Sequence, residues 1–265
     1  MKTLTLLTLL LIPTLIPAKV PPHRFFLTDS LVETLKAPHY RLDTLTARRI
    51  EITNALDTNP DTNALNILTP YLHAVDSITS PVLGNCPKPL TAYRPESPLS
   101  NLVADALLNY AQTLTPTHIA ICNIGGIRSS IPQGPITYGT ILNVCPFENH
   151  LTILSLPGSL LQQLFSEIAA VGGEGISGAQ LIITSDGQLL NANINNQPLN
   201  PDSTYVIATL DYLAEGNDHL TALAQAATIT ATHILIRDIL AQHIRTLREN
   251  NQPLTAQTEG RITIK

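Results

Sequence analysis

The sequence has no tryptophan, one methionine and three cysteines, and only 13% of its 265 residues are charged. Aromatic residues make up 4%. Soluble domains carry about a quarter charged residues. A chain this poor in charge and 44% hydrophobic is not disordered over most of its length, because disordered chains show the reverse balance. No Lys/Arg cluster occurs beyond Arg48-Arg49, and the formal net charge is −5, so the basic face of a nucleic-acid binder is missing. No apolar run is long enough to cross a membrane: the longest, Leu4 to Ile16, is broken by threonines and Pro13, where a span needs about 20 apolar residues.

The cysteines, Cys86, Cys122 and Cys145, form no CxxC pair, which argues against a zinc knuckle. Buried small hydrophobes are the simpler reading. An exported chain could join two of them, and spacing does not choose the pair. The eight histidines also lack metal spacing. No two lie two residues apart, and none sits in Asp-x-His or Asn-His-Asp/Glu; Asn149-His150 is followed by Leu151. A two-metal phosphatase site needs such clusters. Gly-x-Ser-x-Gly is absent as well, and neither Cys122 nor Cys145 has a His and an acid at informative spacing. No catalytic residue and no metal ligand is expected in this chain.

What is present begins with a leader. Lys2 supplies a positive start, Leu4 to Ile16 an apolar stretch, and Pro17-Ala18 a small-residue exit, so residues 1–18 read as a signal peptide cleaved after Ala18. The expected location is outside the cytoplasm, periplasmic or extracellular. Residues 19–78 read as a helical lead-in. Leu31, Leu35, Leu42, Leu45, Ile50 and Ile52 recur at helical spacing up to Asn54, Pro38 interrupts, residues 57–63 form a turn-rich break, and a second short helix runs from Leu65 to Val75. Residues 79–265 change texture. Ser100 is expected to cap a helix with one apolar face through Leu102, Val103, Ala106, Leu107 and Tyr110, and Ser159 a second that ends at Gly172-Gly173. Strands are expected at Thr117–Cys122, Leu151–Leu156, Tyr205–Leu210 and Arg261–Ile264. A hairpin should turn at Asp186-Gly187, and a helix should run from Thr232 to Arg248. Mixed strands and helices, with both hairpins and longer crossovers, predict an α+β domain.

Three loops in this region combine glycine with polar groups directly beside a strand. In Asn123-Ile124-Gly125-Gly126-Ile127-Arg128 the glycines let backbone approach a ligand, Asn123 can bond a base or sugar, and Arg128 can grip phosphate; the alternative is a tight turn with a surface arginine. Pro146-Phe147-Glu148-Asn149 places a ring among polar residues, for stacking or for core filling. Residues 211–218, from Asp211 through Tyr212 and Gly216-Asn217 to Asp218, offer a ring and a carboxylate, or simply a capped turn.

In this order the segments resemble the C-terminal, nucleotide-binding domain of the 5′-nucleotidase family. The resemblance is carried by residues 96–106 (Glu96 to Ala106), Asn123 to Arg128, Gly134 to Tyr138, Val144 to Asn149, Leu156 to Gly158 and Tyr205 to Asp218, and covers about two thirds of the chain. It implies a mixed-sheet domain, preceded here by a short helical segment. It also implies a base held between two rings, Phe147 and Tyr212, where the family usually has Phe at the second place. Ribose is implied on Asp218, a base contact at Asn123 and a phosphate or ribose contact at Arg128. Gly125, Gly126 and Asn149 match the family's loops. An arginine ahead of the Glu-Ser block falls near Tyr93, one residue from Arg94. The family's triple glycine is Asn-Ile-Gly-Gly here, and its Gly-Gly-Asp is Gly216-Asn217-Asp218, where Asn217 tolerates left-handed backbone.

The family's dimetal phosphatase domain is not recognisable in this sequence. The expected function is therefore the exported nucleotide-binding portion of a 5′-nucleotidase-type hydrolase, with two divalent metals on a separate metallophosphatase polypeptide. The alternatives are a binding-only nucleotide scavenger or sensor, and an exported structural protein that has kept the fold and lost the site. Nucleic acid is not an expected partner.

Overall fold

The computed structural model describes residues 61–265; the expected leader and the helical pattern from Leu31 to Asn54 lie outside the described residues. The chain divides into two units, residues 1–68 and residues 69–265. Helix α1 is Thr62–Thr79, longer than the expected Leu65–Val75, and tolerates Pro70 inside it. Its first turn is held by Asp61, whose Oδ1 accepts the Asn63 and Ala64 amides at 2.8 and 3.2 Å.

In residues 69–265 the elements after α1 are β1 (Val82–Cys86), α2 (Pro98–Leu114), β2 (Ile119–Cys122), β3 (Gly134–Thr137), α3 (Tyr138–Val144), β4 (His150–Pro157) and α4 (Gly158–Ala170). They continue as β5 (Gly175–Ser177), β6 (Ala179–Ile183), β7 (Leu189–Ile194), β8 (Gln197–Pro198), β9 (Thr204–Leu210), α5 (Asp211–Ala214), β10 (Thr228–Leu235), α6 (Ile236–Glu249) and β11 (Ile262–Ile264). The central sheet has the order β10-β4-β9-β2-β5. Only β2–β9 is parallel within it; β4 lies antiparallel to both β9 and β10, and β5 antiparallel to β2. A four-stranded sheet, β11-β6-β7-β8, contains the expected hairpin, with Gly187 at φ +84°, and β1 pairs with β3. The fold is the expected α+β class.

The core follows from the sequence periods. Four successive buried residues in β2, Ile119 to Cys122, mark a strand covered on both faces, and β9 ends in four more, Ile207 to Leu210. Helix α2 lays Leu99, Leu102, Val103, Ala106 and Leu107 against this sheet, and α4 contributes the fully buried Phe165. The carboxy-terminal strand is fastened by Arg261, whose guanidinium bonds Asp105 through both terminal nitrogens at 2.8 Å, Glu259 at 2.7 Å and the Ile176 carbonyl at 2.8 Å.

Three expectations are corrected. Helix α2 is capped by Ser97, not Ser100; Ser100 is its N3 partner, and the two close a reciprocal capping box. Helix α4 starts at Gly158 with Pro157 at the cap and no side-chain cap from Ser159. A side chain at Gly158 would meet the Asn200 carbonyl at 2.1 Å. Residues 232–235 belong to strand β10, because the β-branched run Thr228-Ile229-Thr230 enters a ladder with β4 and carries them with it; the helix begins at Ile236. All three cysteines are free thiols, Cys86 and Cys122 buried and Cys145 partly so.

Two glycines separate backbone strain from crowding. Gly178 (φ +80°) would place a Cβ 2.1 Å from the His118 carbonyl, whereas Gly134 (φ +111°) has nothing within 4 Å. Thermal or urea unfolding should show Gly134→Ala costing about 1–3 kcal/mol, the backbone penalty alone. Gly178→Ala should cost more, about 3 kcal/mol or above, or fail to fold. Equal costs would contradict this packing.

Candidate functional site

The strand pairing brings four chain segments to one edge of the central sheet. β2 and β9 run parallel, so Cys122 and Leu210 end at the same edge and release the 123–128 and 211–218 segments there. β4 is antiparallel to β9, with Leu151 opposite Leu210, so the 146–149 segment enters at that edge. β5 is antiparallel to β2, with Gly175 opposite Cys122, which brings in Gly172-Gly173-Glu174. Loops at the strand ends of such a sheet are where ligand groups gather.

Asp218 stands at the centre. Its Oδ2 accepts the Asn123 side-chain amide at 2.5 Å, and its Oδ1 accepts the Tyr212 hydroxyl at 2.8 Å. The bond to the carboxylate raises the Tyr212 phenol above its usual pKa. Asp218 and His219 both occupy left-handed backbone, at φ +54° and +65°, after Gly216 at +86°. The departure at Asn217 therefore does not carry the left-handed turn; its side chain instead donates to the Tyr212 carbonyl at 2.8 Å. Non-glycine residues in this region are strained, and such strain clusters at ligand sites.

Asn123 is 6% exposed, and its Oδ1 is buried with no hydrogen-bond partner among the described residues. A Cβ at Gly126 would fall 2.7 Å from that oxygen, so a side chain there would displace the Asn123 amide. Gly125 is different: its nearest neighbour, Asp218 Oδ2, would be 4.0 Å from a Cβ, and its backbone is not left-handed. Ile124 opens a short 3₁₀ turn and fits without left-handed backbone. Asn123, Gly126, Phe147 and Asn149 line one depression with Ile127, Leu210, Cys122 and Cys145. Burial pushes the Cys145 thiol up to about 12 and raises Cys122 as well, so both line the depression as neutral groups. Phe147 is 50% and Tyr212 39% exposed. Neither ring fills the core.

The two arginines sit apart from the depression. Arg128 is exposed and donates to the Gly125 carbonyl at 3.1 Å. Arg94 lies behind the glycine loop, bonded to the Gly173 carbonyl at 2.8 Å and ion-paired with Glu174. Glu174 is the residue that the sequence reading missed. Its side chain is 1% exposed, and its Oε2 accepts the Ile124 amide at 2.5 Å, so it fixes the loop that carries Asn123. Burial raises its pKa, opposed by the Ile124 amide and Arg94, while Asp218 pushes it further up. An acid inside a Gly-Gly-x-Gly run was the available signal.

The model of the family described as "5'-nucleotidase, C-terminal domain" matches residues 79–225, more than half of the chain. The chain belongs to this family. It is 29% identical over 182 residues to the trifunctional nucleotide phosphoesterase protein YfkN of Bacillus subtilis, covering 63% of this chain and 12% of that protein. It is 31% identical over 153 residues to Protein UshA of Yersinia enterocolitica, covering 55% and 27%. The solved 5'-nucleotidase precursor from Thermus thermophilus superposes with a TM-score of 0.68 at 27% identity, over 77% of this chain and 43% of that one. The chain thus spans less than half the length of these relatives. Among the described residues of this 5′-nucleotidase C-terminal domain, no three His, Cys, Asp or Glu side chains are grouped to hold a metal, and no helix is long and apolar enough to cross a membrane.

Glu174 yields a signed prediction. A carboxyl whose folded-state pKa is raised binds its proton more tightly in the native state, so its contribution to stability is full below the unfolded pKa of about 4.3 and is lost as pH rises through the raised value. Relative to Glu174→Gln, which does not titrate, the wild type should gain stability as pH falls through that window. Glu174→Ala, which strands the Ile124 amide, should cost about 2–4 kcal/mol at neutral pH. Urea unfolding across the acid range measures both, and a pH-independent difference between wild type and Glu174→Gln would contradict the buried placement.

Proposed function

We propose that this domain binds the nucleoside end of a nucleotide, with the base between Phe147 and Tyr212 and the ribose hydroxyls on Asp218. The single observation that carries the reading is the Asp218 carboxylate, held at the sheet edge by two neutral donors and bonded to no cation among the described residues. An acceptor-only group so placed suits a vicinal diol, and the two half-exposed rings supply faces for a planar base. The buried, unpartnered Oδ1 of Asn123 would accept a hydrogen bond from the base edge, which removes the cost of leaving it unsatisfied. Asn149 borders the same depression. Arg128, free to leave the Gly125 carbonyl, would meet the phosphate, and Arg94 would act through the Glu174 pair that steadies the loop.

In this reading the domain orients the substrate, and hydrolysis belongs to a separate exported metallophosphatase chain whose two divalent metals would supply the activated water. Positioning of that kind is worth several kcal/mol of barrier but achieves nothing alone. Export to the periplasm or the outside of the cell is part of the proposal and rests on residues 1–18. The second reading, a binding-only scavenger or sensor, uses the same site without that partner. It is favoured if no metallophosphatase chain raises the affinity of this one.

Calorimetry with AMP and adenosine tests the site. Arg128→Ala should weaken AMP by about tenfold or more, because charge-assisted bonds to phosphate are the stronger class, and adenosine by about threefold or less. Asp218→Ala should weaken both by about tenfold, since the sugar is common to them. Equal losses of AMP and adenosine on Arg128→Ala would assign that residue to loop support. Purified protein with Zn²⁺, Mn²⁺ or Co²⁺ should release no phosphate from AMP; release abolished by substitutions within this chain would overturn the divided arrangement.

A further inference from the structure

The rings of the proposed base site sit on different segments, Phe147 before β4 and Tyr212 after β9, and something must fix one segment against the other. The strand ladder ends with Leu151 opposite Leu210. The next residue on each side is His150 and Asp211, and their side chains extend the contact: His150 Nδ1 and Asp211 Oδ2 lie 3.0 Å apart. The other oxygen of the same carboxylate, Oδ1, accepts the backbone amide of Tyr212 at 2.8 Å. One carboxylate therefore joins the residue adjoining Asn149 to the amide of the ring-bearing tyrosine. On the far side, the Asn149 carbonyl accepts the Ile236 amide at 3.0 Å, which ties this segment to helix α6. The His150 ring also meets the His233 ring edge-on, with centroids 6.5 Å apart, which limits its rotation.

We propose that His150 and Asp211 are positioning residues, a strut that sets the Phe147 segment relative to Tyr212 and so controls recognition of the base rather than of the sugar or phosphate. This rests on the nucleoside-binding reading above. The pair touches no ligand in the proposed pose; it acts through the two segments that it joins. Asp211→Asn retains both bonds, because its Oδ1 can still accept the Tyr212 amide while its Nδ2 donates to a histidine nitrogen. Asp211→Ala and His150→Ala lose the bridge.

The test combines calorimetry, with adenosine and ribose 5-phosphate as probes, and amide hydrogen exchange on the full chain without ligand. The strut predicts that Asp211→Ala and His150→Ala each weaken adenosine by about tenfold and leave ribose 5-phosphate within about twofold. The double variant should be no worse than either single one, and Asp211→Asn should recover most of the loss. Exchange at Tyr212 and Ile236, whose amides bond Asp211 Oδ1 and the Asn149 carbonyl, should rise about tenfold in the alanine variants, while the amides of β4 and β9 stay protected. Equal losses for both probes, additive losses in the double variant, or unchanged exchange would each overturn the strut. If wild type binds neither probe, the nucleoside reading falls, and the exchange result alone decides whether the strut stands.

Discussion

The position of every proposed ligand group depends on the pairing of β9, which runs parallel to β2 and antiparallel to β4 in the middle of the central sheet. A parallel pair delivers two chain ends to one edge, and an antiparallel neighbour delivers a chain start to the same edge. Register is enforced by packing: Ile207, Ala208, Leu210, Leu151 and Leu154 are all core residues, and a one-residue slip would exchange the two packed faces of the strand and misfit both. The edge is thus fixed by the hydrophobic packing directly beneath it. This lets the loops above carry strain at Asp218 and His219, a buried acid at Glu174 and an unsatisfied acceptor at Asn123. Each is a local cost that the core offsets.

The electrostatics of the edge are acidic near its centre and basic at its margins. Glu174 and Asp218 are close enough that Asp218 raises the Glu174 pKa, and Arg94 answers Glu174 from behind the loop. Arg237 approaches Glu148 and the Pro146 carbonyl at 3.5 Å beside Phe147, and its Nε is buried without a partner among the described residues. Asp218 instead takes hydrogen bonds from an amide and a phenol. In the proposed nucleoside site, this contrast would favour hydroxyl groups over anions at the centre and leave the phosphate to the exposed Arg128.

Much of this was legible in the sequence, and the reasons are local. The helix of Leu102, Val103, Ala106, Leu107 and Tyr110 repeats at helical spacing, and the Asp186-Gly187 turn has glycine where left-handed backbone falls. The loops that meet at the edge were found because glycine and polar groups stand beside short apolar strands. The cap at Ser97 was missed although Pro98 at the first helical position is a start signal, because Ser100 is an equally good cap residue three places on and closes the capping box as its N3 partner. Residues 232–235 were misassigned because strand β10 runs straight into helix α6 with no glycine or proline between them, and only pairing with β4 separates them. Arg94 falls one residue from the family's arginine by motif position, and its guanidinium pairs with Glu174, a partner 80 residues away that spacing does not reveal. His150 and Asp211 looked unremarkable for the same reason: each belongs to a different segment, and only the ladder makes them neighbours.

The central claim is that Asp218 and the two rings form one nucleoside site, and a crystal structure of this chain with adenosine tests it most directly. The account predicts the base between the Phe147 and Tyr212 rings and at least one ribose hydroxyl about 2.7 Å from the Asp218 carboxylate. Adenosine bound elsewhere on the domain, or at this edge with its ribose turned away from Asp218, would contradict it.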